Sequence, residues 1–398
     1  MSEEDNIDPE RRSNVPALRS QSSLLDVVRP LNRLVARAAT DALNRLPSLA
    51  EKRWRVGGFE LCDLSYRQVM IWLEHLKSNG RVITLEDFAE PQQEGWVADG
   101  QIIKVHLPNM GFAELDLSCV PGLTYLQCTK NQLNKLDLSG VPGLTDLICD
   151  DNQLAELDLS CVTSLNNLEC SSNQLTKLDL SSVPGLTELC CYSNQLTELD
   201  LSCVPGLTFL HCGNNQVTEL DLSCVPGLTF LDCEFNQLTE LDLSCVPGLT
   251  ELSWGNNQLT ELDLSCVPSL ERLYCNGSQL AELDLSCVPG LIWLCCGNNQ
   301  LTELDLSCVP GLTDLECNDN QLTELDLSCV PRLTVLNCRD NQLTELDLSC
   351  VPSLYSLDCA LNQLTELDAR NCAERAYLIC DRDVLVRKRP EQFVRYLA

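Results

Sequence analysis

Three kinds of side chain here could do chemistry: 26 cysteines, 58 carboxylates and three histidines. Their spacing decides which chemistry is open to them. Twelve cysteines share one column with a 21-residue step, namely Cys128, Cys149, Cys170, Cys191, Cys212, Cys233, Cys275, Cys296, Cys317, Cys338, Cys359 and Cys380. Ten more form a second column from Cys119 to Cys350, with Gly140 and Ser182 as its gaps. Only Cys62, Cys190, Cys295 and Cys372 stand outside. A zinc centre needs four ligands converging on one point, whereas a column runs along a line. Disulfides within a column are disfavoured too, because parallel side-chain vectors give a poor torsion. The cysteines are therefore expected as free thiols packed as small hydrophobes. His75, His106 and His211 make no His-x-x-x-His pair, and no Gly-rich phosphate loop occurs. No catalytic group, metal or cofactor is expected.

The carboxylates follow the same period. Asp116 to Asp368 is an unbroken column, and the Glu column beside it is interrupted only by Lys135 and Lys177. Stacked like charges repel. Asp followed by Leu-Ser-Cys suits an Asx turn, with the carboxylate capping a nearby N–H. Cation binding along the ladder is the alternative, although hard cations want converging oxygens rather than a flat row. Residues 100–369 hold 7 basic and 38 acidic side chains and carry the whole net charge of −31, since the flanks balance. Such a surface repels phosphate backbones and anionic lipid, so neither nucleic acid nor membrane is an expected partner. Met1–Asn14 is polar and acidic without the apolar stretch of a signal peptide. No run approaches the ~18 apolar residues of a membrane span. A cysteine-rich chain of this kind is expected in a reducing, cytoplasmic setting.

A tandem array must position these columns. One period runs Leu301-Thr302-Glu303-Leu304-Asp305-Leu306-Ser307-Cys308-Val309-Pro310-Gly311-Leu312-Thr313-Asp314-Leu315-Glu316-Cys317-Asn318-Asp319-Asn320-Gln321. The Asn column from Asn131 to Asn362 is broken only by Ser278, and the neighbouring column is unbroken Gln from Gln132 to Gln363. Both columns are expected to bond backbone groups that the turns leave unpaired. Leu315-x-Cys317 followed by Asn320 has the spacing of a leucine-rich-repeat strand, with Cys in the third Leu place. Leu304-x-Leu306 is a second such element on the other limb, and Val-Pro-Gly between them favours a turn. The array closely resembles the nested bacterial leucine-rich repeats of the IRREKO class, whose unit reads LxxLxLxxNxLxxLDLxx. That resemblance implies an α/β leucine-rich-repeat solenoid with a parallel sheet, and implies no single function. Counting the period outward from Leu107 to Cys380 gives 14 strands. At ~4.8 Å per strand the sheet should run ~60 Å.

The chain is expected to divide into a disordered segment over 1–23, a helical cap region over 24–100, the solenoid over 101–369, and a last repeat with a short cap over 370–398. Pro30 and the spacing of Leu31, Leu34, Val35, Ala38, Ala42, Leu43 and Leu46 predict a helix. A second should cover about Ser65–Lys77 and stop at Asn79-Gly80, and a short capping helix should cover Pro390–Leu397.

Variable positions in a near-identical repeat are where specificity should sit. Alternation turns the residue before each strand Leu, and the one after it, outward onto a concave face. Aromatic and polar residues concentrate there and just beyond: Tyr192, Phe209, His211, Phe230, Asp232, Phe235, Glu251, Tyr274 and Trp293. An acid-rimmed aromatic patch is the anatomy of a protein-binding surface, and the acidity favours a partner with a basic surface. Cys190 and Cys295 are the thiols expected to face outward, His211 is the one histidine expected there, and Trp254 replaces a core Cys. The reading is a non-catalytic protein-interaction module. An alternative is a secreted bacterial effector using the repeats for target recognition. Cys380-Asp381-Arg382-Asp383 resembles the Cys-x-Asp motif of bacterial leucine-rich-repeat ubiquitin ligases. Only 15 residues follow it, too few for their helical catalytic domain, and the period already accounts for Cys380.

Overall fold

Alternation of burial builds each coil. In Phe230-Leu231-Asp232 the central Leu is buried and its two neighbours are half-buried, and the same pattern recurs along the array. The computed structural model describes residues 53–56, 59–78, 97–98, 101–259 and 261–397. The expected segment over 1–23, the first helix and the stop at Asn79-Gly80 lie outside them.

Strands β1 (Arg53–Val56) and β2 (Phe59–Cys62) form an antiparallel hairpin that leads into helix α1 (Asp63–Ser78). A second small pair, β3 (Val97–Ala98) and β4 (Gln101–Ile102), precedes β5 (Lys104–His106). From β5 a parallel sheet continues through twelve three-residue rungs, β6 to β17, spaced 21 residues apart from Tyr125–Gln127 to Ser356–Asp358. The chain then forms β18 (Glu366–Asp368), β19 (Tyr377–Asp381), β20 (Leu385–Arg387) and β21 (Phe393–Leu397). β19 and β21 complete the sheet at 15 strands. The expected 14 are β5, the rungs and β19.

The fifteenth strand corrects the sequence reading, because Pro390–Leu397 contains no helix. Phe393, Val394 and Tyr396 favour an extended chain. Val394 and Tyr396 continue the inward columns of Leu378 and Cys380. The other limb also differs from expectation. Its Leu-x-Leu element is extended but forms a paired strand only where β18 meets β20. Elsewhere short turns hold it, as where Val309 N–H donates to Leu306 O at 3.2 Å and Leu312 N–H to Val309 O at 3.1 Å.

The aliphatic side chains of every coil join one continuous core from Leu61 to Val384. The Asn column locks neighbouring coils together. Asn320 Nδ2 donates to Cys317 O of its own coil at 3.1 Å and to Cys296 O of the coil before at 3.0 Å. Its Oδ1 accepts from Leu301 N at 3.0 Å. Left without such a partner, each buried backbone group would cost ~1–3 kcal/mol. The Gln column does not share this role. Its side chains are exposed, and its backbone makes the bonds instead, as in Gln321 N–H to Leu301 O at 2.9 Å.

A buried glutamine finishes each end. Gln68 of α1 donates to Asp116 O at 2.7 Å and accepts from Cys119 N at 2.9 Å, while Val69, Trp72 and Leu73 cover the first coil. Gln392 donates to Ala369 O at 2.8 Å and to Ala373 O at 3.1 Å. The irregular stretch is central and spans two coils. Trp254 takes a core Cys place, as expected, and Ser278 takes an Asn place one coil on. Asn299 Oδ1 compensates by accepting from both Ser278 N and Leu280 N at 3.0 Å. Trp254 Nε1 and Ser278 Oγ are nevertheless buried without hydrogen-bond partners.

Two substitutions test this architecture. Leu243→Ala removes a side chain that is 2% exposed and should cost ~2–5 kcal/mol in denaturant unfolding. Asn320→Ala should cost at least ~2 kcal/mol, because it strands several backbone groups at once. Hydrogen exchange should accelerate in the mutated coil and its neighbours before distant coils, and a uniform rise along the array would contradict the picture.

Candidate functional site on the outward strand face

Register places the expected residues. Phe209 stands beside Phe230 and His211 beside Asp232 on adjacent rungs. Parallel pairing brings the two phenyl rings face to face, 4.1 Å between centroids at an interplanar angle of 7°. Tyr192, just past its strand, packs against His211 at 4.7 Å. His211 Nε2 in turn lies 3.1 Å from Asp232 Oδ2. Tyr192, His211 and Asp232 therefore form a chain of contacts beside the stacked Phe209–Phe230 pair on the same two rungs.

Tyr274 and Trp293 form a second group, with centroids 6.4 Å apart. Between the two groups Glu251 accepts from Arg272 Nη1 at 3.3 Å. The patch is thus two aromatic clusters divided by an ion pair. Phe235 lies on the turn beyond its rung, 49% exposed, with φ of 51°. Equivalent turn positions are mostly Asn, Asp or Ser, which tolerate left-handed backbone, whereas a bulky ring there is strained.

Several contributors escaped the sequence reading. Glu234 accepts the Ser253 hydroxyl hydrogen bond, and burial, with Asp232 adding to it, raises its carboxyl above the ordinary range. Gly213 makes room for the Tyr192 ring, because an added Cβ would meet Tyr192 Cδ2 at 3.2 Å and Asp232 Oδ1 at 3.0 Å. Asp150 is pushed up to about 6 by burial and by neighbouring Glu169 and Asp151, against the bond its Oδ1 accepts from Ser171 N at 2.7 Å. All three positions follow the core Cys directly, and this exit column carried the missed signal. His106 also belongs on this face, since it aligns with Gln127, and its Nδ1 lies 2.8 Å from Gln127 Oε1. His211 is therefore not alone among the histidines there.

The thiols divide differently from expectation. The strand column is buried throughout, and burial pushes Cys128 up to about 12. In the loop column Cys161, Cys287 and Cys350 are exposed and most others half-buried, because the neighbouring Val takes the inward place. Cys190 is half-buried, but Cys295 is buried, its Sγ accepting from Trp293 Nε1 at 3.0 Å. Cys380 is fully buried and pushed up to about 11, a poor setting for a nucleophile.

On the opposite limb the acid columns line a groove of about 1,130 Å³, from Glu282 to Glu366 and Asp284 to Asp368, with Arg387 at one end. Its aspartates make the expected Asx turns. Asp305 Oδ1 accepts from Ser307 N at 2.8 Å, and that bond helps hold the carboxyl below its usual range. Among the described residues, no three His, Cys, Asp or Glu side chains are placed to hold a metal ion. No helix among them is long and apolar enough to cross a membrane.

Short parallel rungs, an aliphatic interior and a buried Asn per turn define a repeat solenoid, a class whose extended faces serve protein interaction. The chain belongs to the leucine-rich-repeat proteins. It is similar to the functional domain of InlJ from Listeria monocytogenes, which includes a cysteine ladder, at 30% identity and TM-score 0.54 over 78% of this chain and 81% of that one. YopM from Yersinia enterocolitica is similar at 26% identity and TM-score 0.58 over 83% and 72%. The internalin InlF from Listeria monocytogenes, at 22% identity and TM-score 0.63 over 74% and 89%, shares the fold. No family model and no curated protein matches the chain.

Native alkylation should label Cys161, Cys287 and Cys350 first and the strand column only after denaturation. Early labelling of Cys295 would contradict the geometry. A second test concerns Asp150. Its raised folded pKa means the folded state holds the proton more tightly, so stability is greatest below the ordinary carboxylate pKa and falls as pH rises through about 6. Asp150→Asn keeps the oxygen that Ser171 N–H needs. It should raise stability at pH 7.5 by ~1 kcal/mol after allowance for solvent screening, with the gain fading towards pH 4. An equal gain at both pH values would refute the assignment.

Proposed function

We propose that this protein is a non-catalytic binding module whose outward strand face captures a protein partner with a basic surface. One observation carries the reading: large aromatic side chains occupy outward columns whose inward neighbours already complete the core. Phe209, Phe230, Tyr274 and Trp293 are anchors, His211, Asp232 and Glu251 supply polar specificity, and Tyr192 and Phe235 widen the contact. Phe235 adds support, because a half-exposed ring on left-handed backbone strains its turn. Glu169, Glu188 and Asp146 border the patch with negative charge, which favours encounter with a basic surface.

The reading extends to the whole chain. Residues 101–369 are the binding solenoid of IRREKO type, 24–100 its amino-terminal cap region and 370–398 its last repeat and carboxy-terminal cap. The 1–23 segment is an appended polar stretch, and buried free thiols suit a reducing, cytoplasmic setting.

Phe230→Ala combined with Trp293→Ala should weaken binding of a partner captured by the wild-type protein by at least ~2 kcal/mol while unfolding stays wild type. Phe235→Gly should weaken binding yet raise stability by ~1 kcal/mol, because glycine relieves the left-handed turn. Calorimetry and thermal melting read both effects. Wild-type binding by the aromatic double variant would overturn the proposal.

A further inference from the structure

The two ends of the solenoid are finished unequally. At the amino-terminal end, where α1 bonds to Asp116 and Cys119 of the first coil, Val105 and Leu107 are 0% exposed. At the carboxy-terminal end, β21 is the sheet's edge strand and meets no further strand among the described residues. Its core-register side chains are only partly covered. Tyr396 follows Cys380 in register and is 47% exposed, although Cys380 is fully buried, and Val394 after Leu378 is half-buried. On the other limb Leu385 is 61% exposed in β20. Phe393, stacked on Tyr377 at 5.2 Å, is 58% exposed. Most of the exposed large apolar side chains among the described residues gather here, within the last three coils.

The charge reverses at the same place. Residues 382–397 hold five basic side chains, Arg382, Arg387, Lys388, Arg389 and Arg395, against Asp383 and Glu391. The array before them carries all of the −31. Backbone direction shows what the edge offers. Phe393 N–H donates back to Ala376 O at 2.9 Å, so alternation turns the N–H and C=O of Val394 and Tyr396 away from β19, towards the open side.

We propose that this end is a strand-addition site for an extended, acidic segment of another polypeptide whose alternate residues are apolar. Such a segment pairs with the outward groups of Val394 and Tyr396, covers their partly exposed side chains as a next coil would, and places a carboxylate against Arg395. A second copy is a poorer occupant. Antiparallel self-pairing in this register sets Arg395 opposite its own counterpart, and like charges directly opposed are unfavourable.

The test uses the full chain and two acetylated peptides of about ten residues, one alternating valine with glutamate and one alternating valine with lysine. The acidic peptide should bind in fluorescence anisotropy and the basic one should not. Tyr396→Pro removes an outward N–H but no bond to β19, and should weaken binding ~10-fold or more without changing the melting temperature. Arg395→Glu should weaken it similarly and more at low salt, giving a second variant should the proline disturb the end. Phe230→Ala should bind the peptide normally, which separates this site from the strand-face reading. Absence of acidic-peptide binding, wild-type binding by both Tyr396→Pro and Arg395→Glu, or a dimer in sedimentation that both variants dissolve would each overturn the proposal.

Discussion

Once per coil the chain leaves its strand, turns through a left-handed residue and buries an asparagine, and that amide constrains everything around it. The carbonyls at the strand exit lie too deep for water. Asn215 reaches Cys212 O and Cys191 O, both at 3.0 Å, and accepts from Leu196 N at 3.0 Å, so a single side chain spans successive coils. Repeating this contact sets a constant pitch, and a constant pitch lets three-residue strands build a 15-stranded sheet. No rung would persist alone, since three residues bury too little to offset their own ordering. The amide column and the leucine columns together make the outward positions structurally idle, and so free to vary.

That division of labour also explains how so much negative charge is tolerated. Each Asp of the ladder is occupied by its own turn, accepting the N–H two residues on, and remains in contact with water. Water screens neighbouring carboxylates, and the turn bond favours their charged form. The acidity is thus compatible with the fold without a bound cation, and its effect is felt at a distance, in which surfaces approach and from which side.

Most of the architecture was legible because period and alternation are strong signals. Leu107, found by counting back one period from Cys128, lies in the first rung's inward column, and the Asp–Ser turns are where the Leu-Ser-Cys context placed them. The failures have local causes. β21 follows β19 by 16 residues in register rather than 21, so counting could not find it, and its apolar spacing suits either a strand or a short helix. The loop cysteines were misplaced because periodicity gives a column but not its direction, which the neighbouring Val decides. Trp293 closes over Cys295 through an indole hydrogen bond that alternation does not encode. Of the candidate site, the outward columns were visible, whereas Glu234, Gly213 and Asp150 were not, because they lie where the strand has ended and period-two reasoning stops.

The two successive coils that carry Trp254 and Ser278 differ from the others mechanically. An array of nearly identical turns behaves like a spring, and under load a spring yields where its windings are least bonded. Here the Trp254 winding and the one after it leave two polar groups unanswered, and the second has Ser278 in place of the amide. Trp254 follows the rung between Phe230 and Tyr274, whereas Ser278 lies in Tyr274's own winding, before Trp293. The least-bonded windings therefore fall within the aromatic face rather than at either end of the array, so any strain on that face is taken up beside the side chains it displays.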